Sequence, residues 1–258
     1  MEVVKSYTYL GIEMSAGGSF QSARVNLGDK AKKAMFPLFS TIRQFAIATD
    51  KSLSLFRSFI QPILLYNSEN CAFFSHKQIL NITSGKTSLY KCFVDSEHVR
   101  MQLKFLKYIL GVNKSCTNSM VLGKMGELPV SVCAIFSMLK FWFRVMKATR
   151  NLLINQAYRI QDERYEWFNK IAYFLKTLGL ERYRRYPEAF SEFHFANECK
   201  TKLEKLFIRL WANHLTMSDR INQSKLAWYA KFKTEFSREQ YLSLESFHLR
   251  KNSQISVQ

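Results

Sequence analysis

Arg100, Lys104 and Lys107 stand four and then three residues apart. Lys140, Arg144 and Lys147 repeat that spacing, and Lys202, Lys205 and Arg209 reverse it. On a helix each set projects from one face. Like charges held this close repel one another unless an anion is near or salt and solvent dilute the cost. A phosphate backbone supplies such an anion, and binding to it weakens steeply with salt. The wet side of an amphipathic helix accommodates the same ridges. Residues 182–186, RYRRY, interleave guanidinium with aromatic rings. Arginine pairs bidentately with phosphate and tyrosine stacks on bases. A surface turn ahead of Pro187 explains that stretch equally well.

No catalytic constellation assembles from the remaining chemistry. Two-metal polymerases and nucleases pair carboxylates. The five aspartates, Asp29, Asp50, Asp95, Asp162 and Asp219, are nowhere adjacent. The chain has no Gly-x-x-x-x-Gly-Lys phosphate loop and no Gly-x-Ser-x-Gly elbow. His194 and Glu198 share a helix face, but one turn with one histidine makes a poor metal site and no third ligand can be named. His98 beside Glu97 reads as polarity at a helix N-terminus. The cysteines, at 71, 92, 116, 133 and 199, form no Cys-x-x-Cys pair. Most of them read as small buried hydrophobes in a reducing compartment.

The elements that must position the basic residues are helices. The 258 residues include 9 glycines and 4 prolines, too few turn-formers for an all-β chain. Apolar residues reach 47%, enough for a core. Lysine and arginine number 38 against 20 acidic residues, a formal charge of +18 spread along the chain. Such a surface suits a polyanion, most often nucleic acid. No stretch approaches a membrane span and no signal peptide is evident, so an intracellular protein of nucleus or cytoplasm is expected.

Leu10, Ile12 and Met14 alternate with Tyr9, Gly11 and Glu13, which predicts a half-buried strand, with a turn at Ala16-Gly17-Gly18. Ser19 is a plausible cap for a helix over 20–47. Asp50 or Ser52 caps the next, over 52–74, which Pro62 should kink or divide. Residues 81–95 show no clear period and read as a loop and the best internal boundary. Ser96 to Leu110 predicts a strong helix stopped by Gly111. Further helices are expected at 117–126, 130–150, 163–178, 188–214, 222–235 and 238–250. In the aromatic-rich helix Phe136, Phe141, Trp142 and Phe143 read as core.

YLGIEMSAGGSF at 9–20, followed by a Lys-Ala-Lys-Lys-Ala helix, resembles the primer grip and first thumb helix of non-LTR (LINE-like) retrotransposon reverse transcriptases. SLSLFRSFIQPILLYNSE, LKFLKYILGVNKSCTNSMVLGKMGELPV, SMLKFWFRV and KLAWYAKFKTEFSREQYLS continue the resemblance in family order over most of the chain. Asn67 stands where the family usually has glycine, and Cys71 where an aromatic is common. The family's catalytic Asp-Asp lies upstream of the YLG strand, and its Cys/His zinc segment lies downstream of the last match. The resemblance therefore implies the thumb and following linker of such an enzyme, a fragment without fingers, palm or zinc knuckle. It implies no catalysis by this chain and no cofactor in it, magnesium being expected only with the palm.

It also assigns roles. Tyr9, Leu10 and Gly11 would form the primer grip, with Gly11 letting backbone come close. Arg100, Lys104 and Lys107 would contact phosphate from the last thumb helix, with Lys32 and Lys33 next. The expected fold is mostly α: a primer-grip-like β element at 1–20, a thumb-like bundle at 21–112 and a helical linker region at 113–258. The expected partner is RNA or an RNA–DNA duplex, with the palm and fingers region as a further partner and no membrane. The rival expectation is a helical protein-interaction module derived from a decayed retroelement.

Overall fold

A computed structural model describes residues 6–15, 20–71, 76–148, 166–216 and 223–244. The fold is mostly α-helical, with one two-stranded sheet at the N-terminal end. Strands β1 (Ser6–Tyr9) and β2 (Ile12–Ser15) precede the long α1 (Gln21–Gln44) and α2 (Thr49–Leu55). A π-helical segment, Phe56–Ile60, leads into α3 (Gln61–Leu65), followed by α4 (Ser68–Cys71), α5 (His76–Thr83), α6 (Leu89–Val94) and α7 (Glu97–Leu110). Then come α8 (Asn118–Met125), α9 (Val130–Lys147), α10 (Glu166–Leu178), α11 (Arg182–Arg185), α12 (Glu192–Thr216), α13 (Gln223–Phe232) and α14 (Tyr241–Leu244). The chain divides into two compact units, each drawn from separate segments. One gathers 1–66, 95–130 and 215–258, and the other 67–94 and 131–214. Val112 lies inside the first unit, and the chain passes between the units at 66/67, 94/95, 130/131 and 214/215.

In the first unit, Ala23, Leu27, Ala31, Met35, Leu38 and Ile42 form the buried stripe of α1. Val99, Leu103, Phe105, Leu106 and Ile109 do the same for α7. Gly28 lies against Glu97, Lys104 reaches the ring of Phe36, and Phe39 packs on Tyr108 with ring centroids 4.1 Å apart. The partners ascend together, so α1 and α7 run parallel. A Cβ at Gly28 would meet Glu97 Cγ at 3.3 Å, a tight contact that a shift of the glutamate side chain by a few tenths of an ångström would relieve. Phe56 stacks on Phe105 at 4.7 Å, tying the π segment to α7.

Pro62 does not divide its helix: the helical run continues from Thr49 to Leu65 and stops at Tyr66-Asn67, where Asn67 takes φ 54°. Proline lacks an N–H and its ring crowds the carbonyl four residues back. The chain widens into the π turn just ahead of it, with the Gln61 N–H reaching Phe56 O. Phe56, Ile60 and Leu64 stay buried along one side. The predicted caps differ: α2 starts at Thr49 after Ala48, and Ser52 sits inside it. Ser19 lies outside the described residues, and Phe20 occupies the cap position of α1.

The expected single strand is a hairpin. Tyr9 pairs with Ile12 across a two-residue turn at Leu10-Gly11, with φ of 48° and 78°. Positive φ at both central residues matches the right-handed twist of paired strands. The turn expected at 16–18 lies outside the described residues.

In the second unit, Trp142, Phe143, Phe174, Phe195, Phe207 and Trp211 are fully buried. Phe143 stacks on Phe195 at 4.3 Å and stands edge-on to Tyr183. Phe136 and Phe141 are only half-buried. The loop predicted over 81–95 is the end of α5, a turn with Gly85 at φ 72°, and α6. Tyr90, Cys92, Phe93 and Val94 of α6 are all buried, and a six-residue helix enclosed on several sides shows no amphipathic period. Ser131 Oγ donates to Phe93 O at 2.7 Å. At the chain's other end, 238–240 is not helical: Arg238 bridges to Met125 in strand fashion.

Candidate nucleic-acid interface

The buried stripe of α1 leaves its other side to solvent, and Lys30, Lys32 and Lys33 are exposed there. Phe36 follows one turn after Lys32 and Lys33, and is 59% exposed. On α7 the same logic turns Arg100 and Lys104 outward, because Val99, Leu103 and Phe105 face the core. Lys104 Nζ sits 5.9 Å from the centre of the Phe36 ring. That contact joins the outer faces of the two parallel helices into one basic surface with an aromatic ring within it. Glu97 offsets it in part, 3.6 Å from Arg100.

Lys107 behaves differently from its ridge mates. Its ammonium donates to Lys114 O at 2.9 Å, holding the loop after Gly111 to the helix. Partial burial pulls its pKa below the ordinary lysine value, against an opposing effect of Cys116. Arg100 and Lys104 are thus the open part of this ridge.

Tyr9 closes β1 opposite Ile12. Leu10 is 73% exposed at the tip, and its carbonyl accepts from the Tyr66 hydroxyl at 2.8 Å. Among the described residues a Cβ at Gly11 would meet nothing within 4 Å. Its positive φ favours glycine there.

In the second unit the other ridges are largely engaged internally. Arg144 lies 3.3 Å and Lys140 4.0 Å from Glu192, in the first turn of α12, and Lys147 donates to Phe190 O at 2.6 Å. Three cations of α9 therefore fasten the start of α12. Lys202 donates to Gly179 O at 3.1 Å and pairs with Glu198 at 3.0 Å, while Lys205 and Arg209 stay exposed. In RYRRY, Tyr183 is buried and donates with Arg182 to Glu198. Burial would raise the Glu198 pKa, but the hydrogen bonds from Tyr183, Lys202 and Arg182 outweigh it and hold it at about 2. His194 lies 3.8 Å from that carboxylate. Cations crowd this site, so it is a poor place for a metal ion. Among the described residues no group of three or more His, Cys, Asp or Glu side chains could hold one.

Phe36 is the residue that spacing did not single out. Its signal was its place off the 31-35-38-42 stripe and one turn from two lysines. Cys92 and Cys199 are buried, and burial pushes the Cys199 thiol up to about 12. Among the described residues no single helix is long and apolar enough to cross a membrane. No protein-family model, curated protein or solved structure matches this chain.

Proposed function

We propose that this chain binds the sugar-phosphate backbone of RNA or an RNA–DNA duplex, as the thumb and linker of a non-LTR retrotransposon reverse transcriptase, without catalysis of its own. The observation that carries the reading is the parallel packing of α1 and α7, with Lys104 over Phe36. It gathers Lys32, Lys33, Arg100 and Lys104 along neighbouring helices as a phosphate track requires. Such contacts fix position and read no base sequence. Lys107 contributes by holding its loop, and the Tyr9-Leu10-Gly11 hairpin would meet the primer strand. The chain would work in the nucleus or cytoplasm, beside the palm and fingers that carry the chemistry and its magnesium.

Binding of a labelled RNA–DNA duplex to the full chain tests this. Arg100→Ala with Lys104→Ala should weaken binding by roughly 5-fold or more, whatever the duplex sequence. Equal affinity would overturn the reading, and nucleotide incorporation by the purified chain would overturn the non-catalytic part. A second reading, a protein-contact module, draws on the exposed Tyr7, Leu10, Phe59 and Tyr66 of the first unit. Light scattering separates the two: nucleic acid disperses assemblies of a backbone binder and leaves those of a contact module unchanged.

A further inference from the structure

Helix α13 carries two large aromatic side chains on its open face. Trp228 is 66% exposed and Phe232, one turn later, 70%. Their ring centroids lie 4.5 Å apart, with planes inclined at 54°. Each ring therefore supports the other and leaves a face to solvent. The helix is nonetheless anchored. Leu226 is buried, and the Tyr229 hydroxyl donates to Met120 O at 3.3 Å. Just beyond its end, Lys233 Nζ donates to Ser237 O at 2.7 Å and pairs with Glu239 at 2.7 Å. The rings thus stand on a fixed support rather than on a loose end. Lys231 is exposed between them in sequence, and no carboxylate occurs from Gln223 to Phe232.

We propose that Trp228 and Phe232 form a stacking platform for the unpaired bases of a single-stranded nucleic acid, with Lys231 meeting its phosphates. Two observations favour this occupant over an apolar protein segment. The two exposed ring planes are inclined at 54° to one another, as faces for successive bases rather than one flat apolar patch. Its helix and the chain as a whole carry a cationic surplus, which attracts a polyanion and not an apolar peptide. Bases in a duplex are already stacked on one another, whereas unpaired bases present free π faces to tryptophan and phenylalanine. This site differs in chemistry from the α1–α7 surface: that one reads phosphate, this one reads base rings.

The test compares a ten-nucleotide oligo-dT with an abasic strand of the same length and charge. Trp142 and Trp211 are buried and Trp167 is half-buried, its indole N–H donating to Glu69 O, so Trp228 is the solvent-facing reporter. Oligo-dT should quench indole fluorescence and bind about 10-fold more tightly than the abasic strand. Trp228→Ala with Phe232→Ala should erase that excess and leave abasic binding unchanged. Trp228→Tyr, which keeps a ring, should retain most of the excess. Equal affinity for the two strands, or quenching that survives in the double variant, would overturn the proposal. So would a loss of self-association on Trp228→Ala in the absence of oligonucleotide, which would mark the rings as a contact between copies. In the parent chain, equal affinity for the two strands sinks this proposal alone, while failure to bind the abasic strand at all sinks the backbone reading too.

Discussion

His98 is buried, and burial, reinforced by the Arg24 guanidinium, lowers its pKa from 6.5 to about 4. The unfolded chain takes up this proton near pH 6.5, while the folded chain does so only near pH 4. Stability present above pH 6.5 is therefore lost as pH falls through that window, by about 3 kcal/mol for this one group. Urea unfolding across pH 7 to 4 should show the loss, and His98→Gln should flatten it. If the variant has the same slope, other groups are responsible. Spacing placed His98 at a helix start but could not show that it faces inward, because burial depends on α1 packing from far away in sequence. Two glycines make a sharper comparison. Gly126 has φ 60°, and a Cβ there would stand 2.4 Å from the Arg238 amide nitrogen, whereas Gly11 opens on empty space. Gly126→Ala should cost about 2–4 kcal/mol and Gly11→Ala about 1 kcal/mol, read by thermal or denaturant unfolding. Equal costs would contradict the backbone clash at Gly126.

At the level of elements, α7 was legible end to end. Ser96 accepts from the Val99 amide at 3.3 Å, Gly111 takes the left-handed position, and the apolar positions between them keep helical spacing. The hairpin was half legible: alternation found extended chain, but it continued through Leu10 because leucine is uncommon at positive φ. Helix α6 was illegible, since burial on several sides erases the period on which such readings rest. The strand-like contact of Arg238 was also invisible, because its partners are remote. Arg238 pairs with Asp50 and lies 3.2 Å from Glu127, which Arg57 also meets at 2.6 Å. Beside it, the Glu239 amide donates to Lys124 O at 3.1 Å. Arg238→Ala should therefore release this segment, and hydrogen exchange at the Glu239 amide should quicken at least ~10-fold while that of α7 stays unchanged. An unaltered Glu239 rate would show that the arginine does not hold it.

At the level of the whole molecule, the formal charge of +18 is what the expectation of a polyanion rests on, and spacing alone did not tell the three ridges apart. Of three equally spaced ridges, the two in the second unit are wholly or partly engaged with Glu192, Glu198 and backbone carbonyls. Spacing cannot distinguish a cation that fastens two helices from one that awaits a phosphate, because the distinction lies in what packs opposite. The Lys32–Phe36–Lys104 neighbourhood became visible only once α1 and α7 were side by side.

The central claim is that these exposed cations neutralise phosphates, and the salt dependence of binding measures that directly. For an RNA–DNA duplex, log K should fall linearly with log salt concentration. Changing Lys32, Lys33, Arg100 and Lys104 together to alanine should make the slope shallower by about 3 to 4, since each phosphate left without its cation removes about 0.9. A slope identical in the parent and the fourfold variant would contradict the claim.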